Sequence, residues 1–185
     1  MGRLSEIVGG PFVSARKRIA GLMRERRIYK APFYKKYPYR HNVSIVTSNR
    51  RGAIDLERRF FFNRLPKSAN TSVVTILANI SGTRTLRGQE AKRAFMRPSE
   101  LNFRQVMELD DFFKFTVVRN PYARVLSAYL DKIAYPQKVK IKGHLDDRDM
   151  VARFSEFCKY LADGGLYKNV HWVPQTSLML LPIDN

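Results

Sequence analysis

The sequence is poor in cysteine, in acidic residues and in long apolar runs, and each shortage excludes something. A single cysteine, Cys158 in FSEFCKYL, rules out an internal disulfide. Together with only three histidines it leaves no Cys/His cluster at metal-ligand spacing, so no metal is expected. Cys158 reads as a small core residue, and a lone cysteine leans toward a reducing compartment. No apolar run reaches the roughly 18 residues of a membrane-crossing helix. Residues 1–30 lack the unbroken apolar core of a secretory signal, and MGRLSE carries Glu6 where myristoylation wants Ser or Thr. A cytoplasmic setting is the expectation. Acid is scarce too: 16 Asp and Glu face 34 Lys and Arg, a net charge of +18. Such a chain favours anionic partners.

What is present supports a globular body. The chain is 185 residues long, 44% hydrophobic and 12% aromatic, enough for a core that buries about 70% of the unfolded surface. The charge is uneven. Residues 1–50 hold 12 basic and 2 acidic residues, and read as a basic N-terminal extension and linker; residues 51–185 read as the folded domain. Within the extension, SARKRIAGLMRERRI (14–28) predicts a basic helix, and YKAPFYKKYPYR (29–40) an extended linker. Residues 14–40 offer a weak contact with an anionic membrane.

Patterning along the body predicts strand, loop, helix, helix, then strand, loop, helix, helix. RRFFFNRL (58–65) and Phe113–Val118 are the strands. Val73–Ile80, Ser99–Leu109 with Ser99 as N-cap, Tyr122–Ile133 and 151–162 are the helices, the last closed by Gly164-Gly165. Residues 136–149 are loop. This order argues for an α/β fold with a parallel sheet flanked by helices.

Both strands end in a polar loop that opens a helix, which is where parallel α/β sheets bind ligands. The first junction, LPKSANTS, offers Lys67, three hydroxyls (Ser68, Thr71, Ser72) and the free amides of a helix start, a setting that attracts an anion. It is not a Walker A loop, because its lysine precedes the turn. The second junction, VVRNPYARVLSAY, places Arg119 at the strand end and Ser127 eight residues on, where both can address a second anion. Taken alone, Arg119 reads equally well as the partner of a carboxylate at the sheet edge.

Together, PKSANTS and FTVVRNPYARVLSAYLDKI resemble the two cofactor motifs of the sulfotransferases that use 3′-phosphoadenosine 5′-phosphosulfate (PAPS), in the carbohydrate sulfotransferase (family 2) branch. HWVPQ after the FSEFCKYL helix resembles that branch as well, so the likeness spans residues 58–175. The resemblance implies a P-loop-like nucleotide-binding sulfotransferase fold. It implies that Lys67 contacts the bridging oxygen of the leaving phosphosulfate. Ser68, Ala69, Asn70, Thr71 and Ser72 would cradle the 5′-phosphosulfate, and Arg119 and Ser127 would hold the 3′-phosphate. The reaction implied is transfer of a sulfuryl group to a hydroxyl of a carbohydrate-like acceptor, without a metal. Two departures stand out. Asn70 occupies a position where glycine is common, and the chain ends soon after HWVPQ, so it reads as C-terminally short.

A base for the acceptor hydroxyl must lie within hydrogen-bond reach. Glu90, in the loop after the first helix, and His171 are the candidates; His171 also suits a loop-orienting role. The alternatives are a catalytically weak or inactive PAPS-binding homologue and, less well supported, a basic nucleic-acid-binding protein, which accounts for the charge but not for the two motifs. Many members of the branch are anchored in the Golgi, which is the alternative to the cytoplasmic expectation if an anchor lies outside this chain.

Overall fold

The computed structural model describes residues 11–80, 85–134 and 147–182. At its centre is a small sheet of three strands, β1 (Gly52–Asp55), β2 (Phe60–Asn63) and β3 (Phe113–Thr116), in the order β1-β2-β3. The Phe-rich run of β2 alternates across the sheet, as a strand must. Phe60 and Phe62 pack with Val74 and Phe95 on one face, and Phe61 packs with Phe33, Ile54 and Leu101 on the other. Stacked rings tie both faces: Phe62 on Phe115 at 4.8 Å and Phe33 on Phe61 at 5.8 Å between centroids.

The expectation of a parallel sheet holds for only one of its two pairings. β2 and β3 are parallel, with Phe60 opposite Phe113, but β1 runs antiparallel to β2, with Gly52 opposite Asn63. The sheet is therefore mixed. β1 has only four residues, too few for a periodic signal. Its Gly52 marks a close approach, since a Cβ there would lie 2.5 Å from the ring of Pro98.

Each parallel strand feeds a helix from its carboxyl end: β2 leads to α4 (Asn70–Asn79) and β3 to α7 (Pro121–Tyr129), with α5 (Gly88–Arg93) and α6 (Phe103–Glu108) between α4 and β3. Pro121 opens α7, and the Asn120 side chain accepts from the amides of Tyr122 and Ala123. The helix runs on into a π-helical turn, Leu130–Ala134. Ser99 is not a helix cap. It sits in a 3₁₀ turn, Pro98–Glu100, that Glu100 closes on the Arg97 amide, and the cap of α6 is Asn102 in a reciprocal box with Gln105. The last long helix is α8 (Asp147–Ala162); the charged loop expected at 136–149 lies largely outside the described residues.

The N-terminal segment differs most from expectation. After α1 (Pro11–Tyr29), residues 29–40 are not an extended linker: Pro32–Lys36 form α2, and Ile45–Asn49 form α3. Phe33, Tyr34 and Ile45 are buried in the same core as Phe61, Leu101 and Leu109. The KK and YPY polarity hid a helix whose apolar side carries the packing. Cys158 also departs from its reading as a core residue, being exposed on α8. Trp172 is buried against Phe157 and donates its indole N–H to the Gly165 carbonyl at 3.0 Å.

Candidate active site

The parallel pairing of β2 and β3 sets their two loops side by side. Lys67 and Arg119 then face one open cleft of about 500 Å³, lined also by Ala123, Leu126, Ser127, Leu130 and Asp131. Lys67 and Arg119 lie 52 residues apart in the chain, yet the Arg119 guanidinium reaches the Lys67 carbonyl at 3.4 Å. The long sequence separation is closed by the β2–β3 register.

The first loop takes its shape from two left-handed residues, Lys67 (φ 65°) and Ala69 (φ 53°). Asn70, at the position where glycine is common, is the first residue of α4. An alanine and a lysine in this region are strained relative to glycine, so neighbouring contacts must hold them. Ser68, between them, is buried and donates its hydroxyl to Gln175 at 3.2 Å. The Ala69 carbonyl accepts the first helical bond, from Val73, leaving the amides of Asn70, Thr71 and Ser72 at a helix start with no intrahelical acceptor. The side-chain oxygen of Asn70 is buried with no partner among the described residues, and Thr71 and Ser72 are exposed.

Three side chains the motifs contain, but for which sequence reasoning named no such role, shape this site. Arg124 is one: its guanidinium is buried and donates to the carbonyls of Pro66 (2.9 Å), Val173 (2.6 Å) and Val170 (3.1 Å). It locks the first loop, α7 and the HWVPQ loop together, and burial pushes its pKa down to about 10, still cationic at neutral pH. Gln175 joins the loops a second time, donating to the Arg119 carbonyl at 2.8 Å and accepting from the Arg119 amide at 3.0 Å. Asp131 lies at the cleft wall and pairs with Lys132 at 2.9 Å and Lys67 at 3.2 Å; those hydrogen bonds hold its carboxyl below the usual range. The signal for Arg124 and Asp131 was present in RVLSAYLDK, as polar residues placed among apolar helical positions, and Gln175 stood in the HWVPQ motif.

The two candidate bases stand apart from this lining. Glu90 is exposed in the first turn of α5. His171 is half-buried, its Nδ1 buried with no partner among the described residues. Burial, followed by the charges of Lys132, Arg51 and Lys67, pushes its pKa down to about 4, so the ring is neutral at physiological pH. Among the described residues no group of three or more His, Cys, Asp or Glu side chains is placed to hold a metal ion.

A family model described as sulfotransferase family matches residues 51–182. Carbohydrate sulfotransferase 14 of Danio rerio is 31% identical over 142 residues, covering 64% of this chain and 38% of that protein. Carbohydrate sulfotransferase 14 of Mus musculus is 32% identical over 139 residues, covering 63% and 36%. Carbohydrate sulfotransferase 10 of Danio rerio is 24% identical over 132 residues, covering 58% and 36%. No solved structure matches. The chain thus spans little more than a third of the length of these relatives. That corrects the cytoplasmic expectation, which rested on a missing anchor and a lone cysteine. The similarity runs to carbohydrate sulfotransferases, a branch with many Golgi-anchored members, and it covers a stretch whose lack of an anchor carries no information on compartment. Among the described residues no helix is long and apolar enough to cross a membrane.

Proposed function

The chain belongs to the sulfotransferase family, and from that premise we propose that it moves a sulfuryl group from PAPS to a hydroxyl of a carbohydrate acceptor. The observation that carries the proposal is the meeting of Lys67, Arg119 and Ser127 on one cleft at the carboxyl ends of two parallel strands. The residues fit an anionic nucleotide. One side has an ammonium and the open amides of a helix start, the other a guanidinium and a hydroxyl, and the volume of about 500 Å³ admits a nucleotide-sized ligand.

In this reading PAPS supplies the activated sulfuryl group. The loop Ser68, Ala69, Asn70, Thr71 and Ser72 receives its 5′-phosphosulfate through backbone amides, the left-handed turns at Lys67 and Ala69 aiming them. Arg119 and Ser127 hold the 3′-phosphate. Lys67 neutralises the charge that develops on the leaving phosphate, the type of stabilisation that dominates such reactions. To do so it exchanges Asp131 for the donor, because its ammonium is paired with that carboxylate.

Of the two candidates for the proton acceptor, His171 has the better case. It is neutral and stands in the field of Lys67, so an anionic donor arriving there offsets the charge that depresses its basicity. Glu90 is exposed on α5 and, like His171, is not among the residues that line the cleft.

The test is calorimetric titration with the desulfated nucleotide, 3′-phosphoadenosine 5′-phosphate (PAP), on the wild type, Lys67→Ala and Arg119→Ala. Binding by the wild type that falls at least tenfold in both variants is the expected result. A folded wild type that does not bind PAP would overturn the reading.

A further inference from the structure

The body does not absorb the whole of the basic N-terminal segment. Phe33, Tyr34 and Ile45, from α2 and α3, are buried in the core, but among the described side chains of α1 only Ile28 is buried. Near it, Arg24 and Arg27 line clefts shared with Arg97 of the body. Earlier in the helix every described side chain from Arg16 to Met23 is exposed, and a Cβ added to Gly21 would meet nothing within 4 Å.

The exposed part of α1 carries an apolar ridge. Ile19, Leu22 and Met23 stand at i, i+3 and i+4, on one helix face, and are 52%, 61% and 68% exposed. Ile28 lies about two and a half turns beyond Ile19, so the side that meets the body is opposite the ridge. Arg16, three residues before Ile19, and Arg26, three after Met23, extend the same face at its two ends. The one acidic residue of α1 is Glu25. Among the described residues, none of Arg16, Arg18, Arg24, Arg26 and Arg27 is in an ion pair.

A helix draws most of its stability from covering an apolar face, and a stretch this short is marginal in water by itself. The ridge therefore calls for an apolar cover, and the arginines for an anionic one. A polyanion such as a nucleic acid satisfies the arginines and leaves Ile19, Leu22 and Met23 in water. An anionic bilayer satisfies both. Apolar side chains enter the boundary between headgroups and acyl chains, and arginine stems lie along the apolar surface while their guanidinium heads reach lipid phosphates.

We propose that α1 is an interfacial helix that lies on an anionic lipid surface, with Ile19, Leu22 and Met23 inserted at the headgroup boundary and Arg16 and Arg26 on lipid phosphates at the two ends of the ridge. A ridge of three side chains gives a reversible contact that needs both the apolar and the charged component. The inference is independent of the sulfotransferase reading, since α1 contributes no residue to the Lys67 cleft.

The experiment is co-sedimentation of the full chain with two kinds of vesicle, phosphatidylcholine alone and phosphatidylcholine with about 30% phosphatidylserine. The variants are Leu22→Ser/Met23→Ser and Arg16→Gln/Arg26→Gln. All four side chains are exposed, so folding is not the readout, and a PAP affinity within twofold of the wild type checks this. The expected result is that the wild type binds the anionic vesicles and not the neutral ones, less tightly as salt rises, and that each double variant weakens binding at least tenfold at low salt. A wild type that leaves the anionic vesicles unbound would overturn the proposal, as would equal binding of the neutral ones. So would vesicle binding unchanged in Leu22→Ser/Met23→Ser, which would reduce the contact to charge alone. Self-association of the wild type without lipid, abolished by the same variant, would assign the ridge to a second copy of the chain and also overturn it. A wild type that binds the anionic vesicles through these residues but never binds PAP would overturn the donor reading and leave the lipid contact standing.

Discussion

Gln175 grips the backbone of Arg119 from both sides, its Nε2 donating to the Arg119 carbonyl at 2.8 Å and its Oε1 accepting from the Arg119 amide at 3.0 Å. The same oxygen accepts from Ser68. A residue of the final loop thus completes the hydrogen bonding of β3 just past its end and pins the first loop to it. The two halves of the proposed donor site are held in register by one amide side chain.

Gln175→Leu removes all three bonds and leaves an amide, a carbonyl and a buried hydroxyl without partners. The expected loss of stability is about 1–3 kcal/mol, read by urea unfolding, with PAP affinity lowered by a larger factor than in a surface control. Gln175→Glu keeps the acceptor and loses the donor, so it falls between leucine and wild type. If both variants bind PAP as the wild type does, the grip has no part in shaping the site.

Arg124 is a buried cation satisfied by three carbonyls from two loops. Arg124→Met leaves those carbonyls unpaired and removes the tie between α7 and the HWVPQ loop. Destabilisation of about 3–5 kcal/mol is expected. Arg124→Lys recovers only part of it, since an ammonium cannot span the same planar fork. A lysine variant as stable as the wild type would mean that charge, and not geometry, is what α7 needs.

How much of this was legible in the sequence differs by element. The two strand ends and the helices after them were readable because Phe60–Phe62 and the Phe- and Val-rich stretch Phe113–Val118 are cut off by charged or polar loops. β1 was not readable: four residues beginning in glycine carry no period, and their place is set by pairing with β2. The segment 29–40 misled because its lysines and prolines dominate its composition, while Phe33 and Tyr34, adjacent in sequence, both reach the core from a single turn of helix. In the site, Lys67, Arg119 and Ser127 were visible as motif positions. The left-handed backbone at Lys67 and Ala69 was not, because neither residue type announces it.

Asp131 competes with any bound anion for Lys67. Asp131→Asn removes a negative charge from the cleft wall and frees the ammonium, so PAP binding should tighten several-fold at low salt, with the gain shrinking as salt rises. Turnover should not rise with it, because a lysine without its tether is less well positioned for the leaving phosphate. Titration of PAP at two ionic strengths checks the first part. Weaker binding in Asp131→Asn would mean that the carboxylate positions Lys67 more than it competes for it.

His171 gives the fold a dependence on pH. Its pKa is about 4 in the folded chain, against an ordinary value of 6.5, because burial and the charges of Lys132, Arg51 and Lys67 disfavour the cation. A group whose folded pKa is depressed binds more protons when the chain unfolds. The stability linked to His171 is therefore fully present above pH 6.5 and is lost progressively as the pH falls toward about 4. Unfolding in urea at steps between those values should give a falling midpoint in the wild type. His171→Asn, which cannot take up the proton, should flatten the fall over the upper part of that window, where Asp and Glu remain ionised. A variant with the same slope as the wild type would move the effect to other groups and remove the argument that the imidazole is neutral beside Lys67.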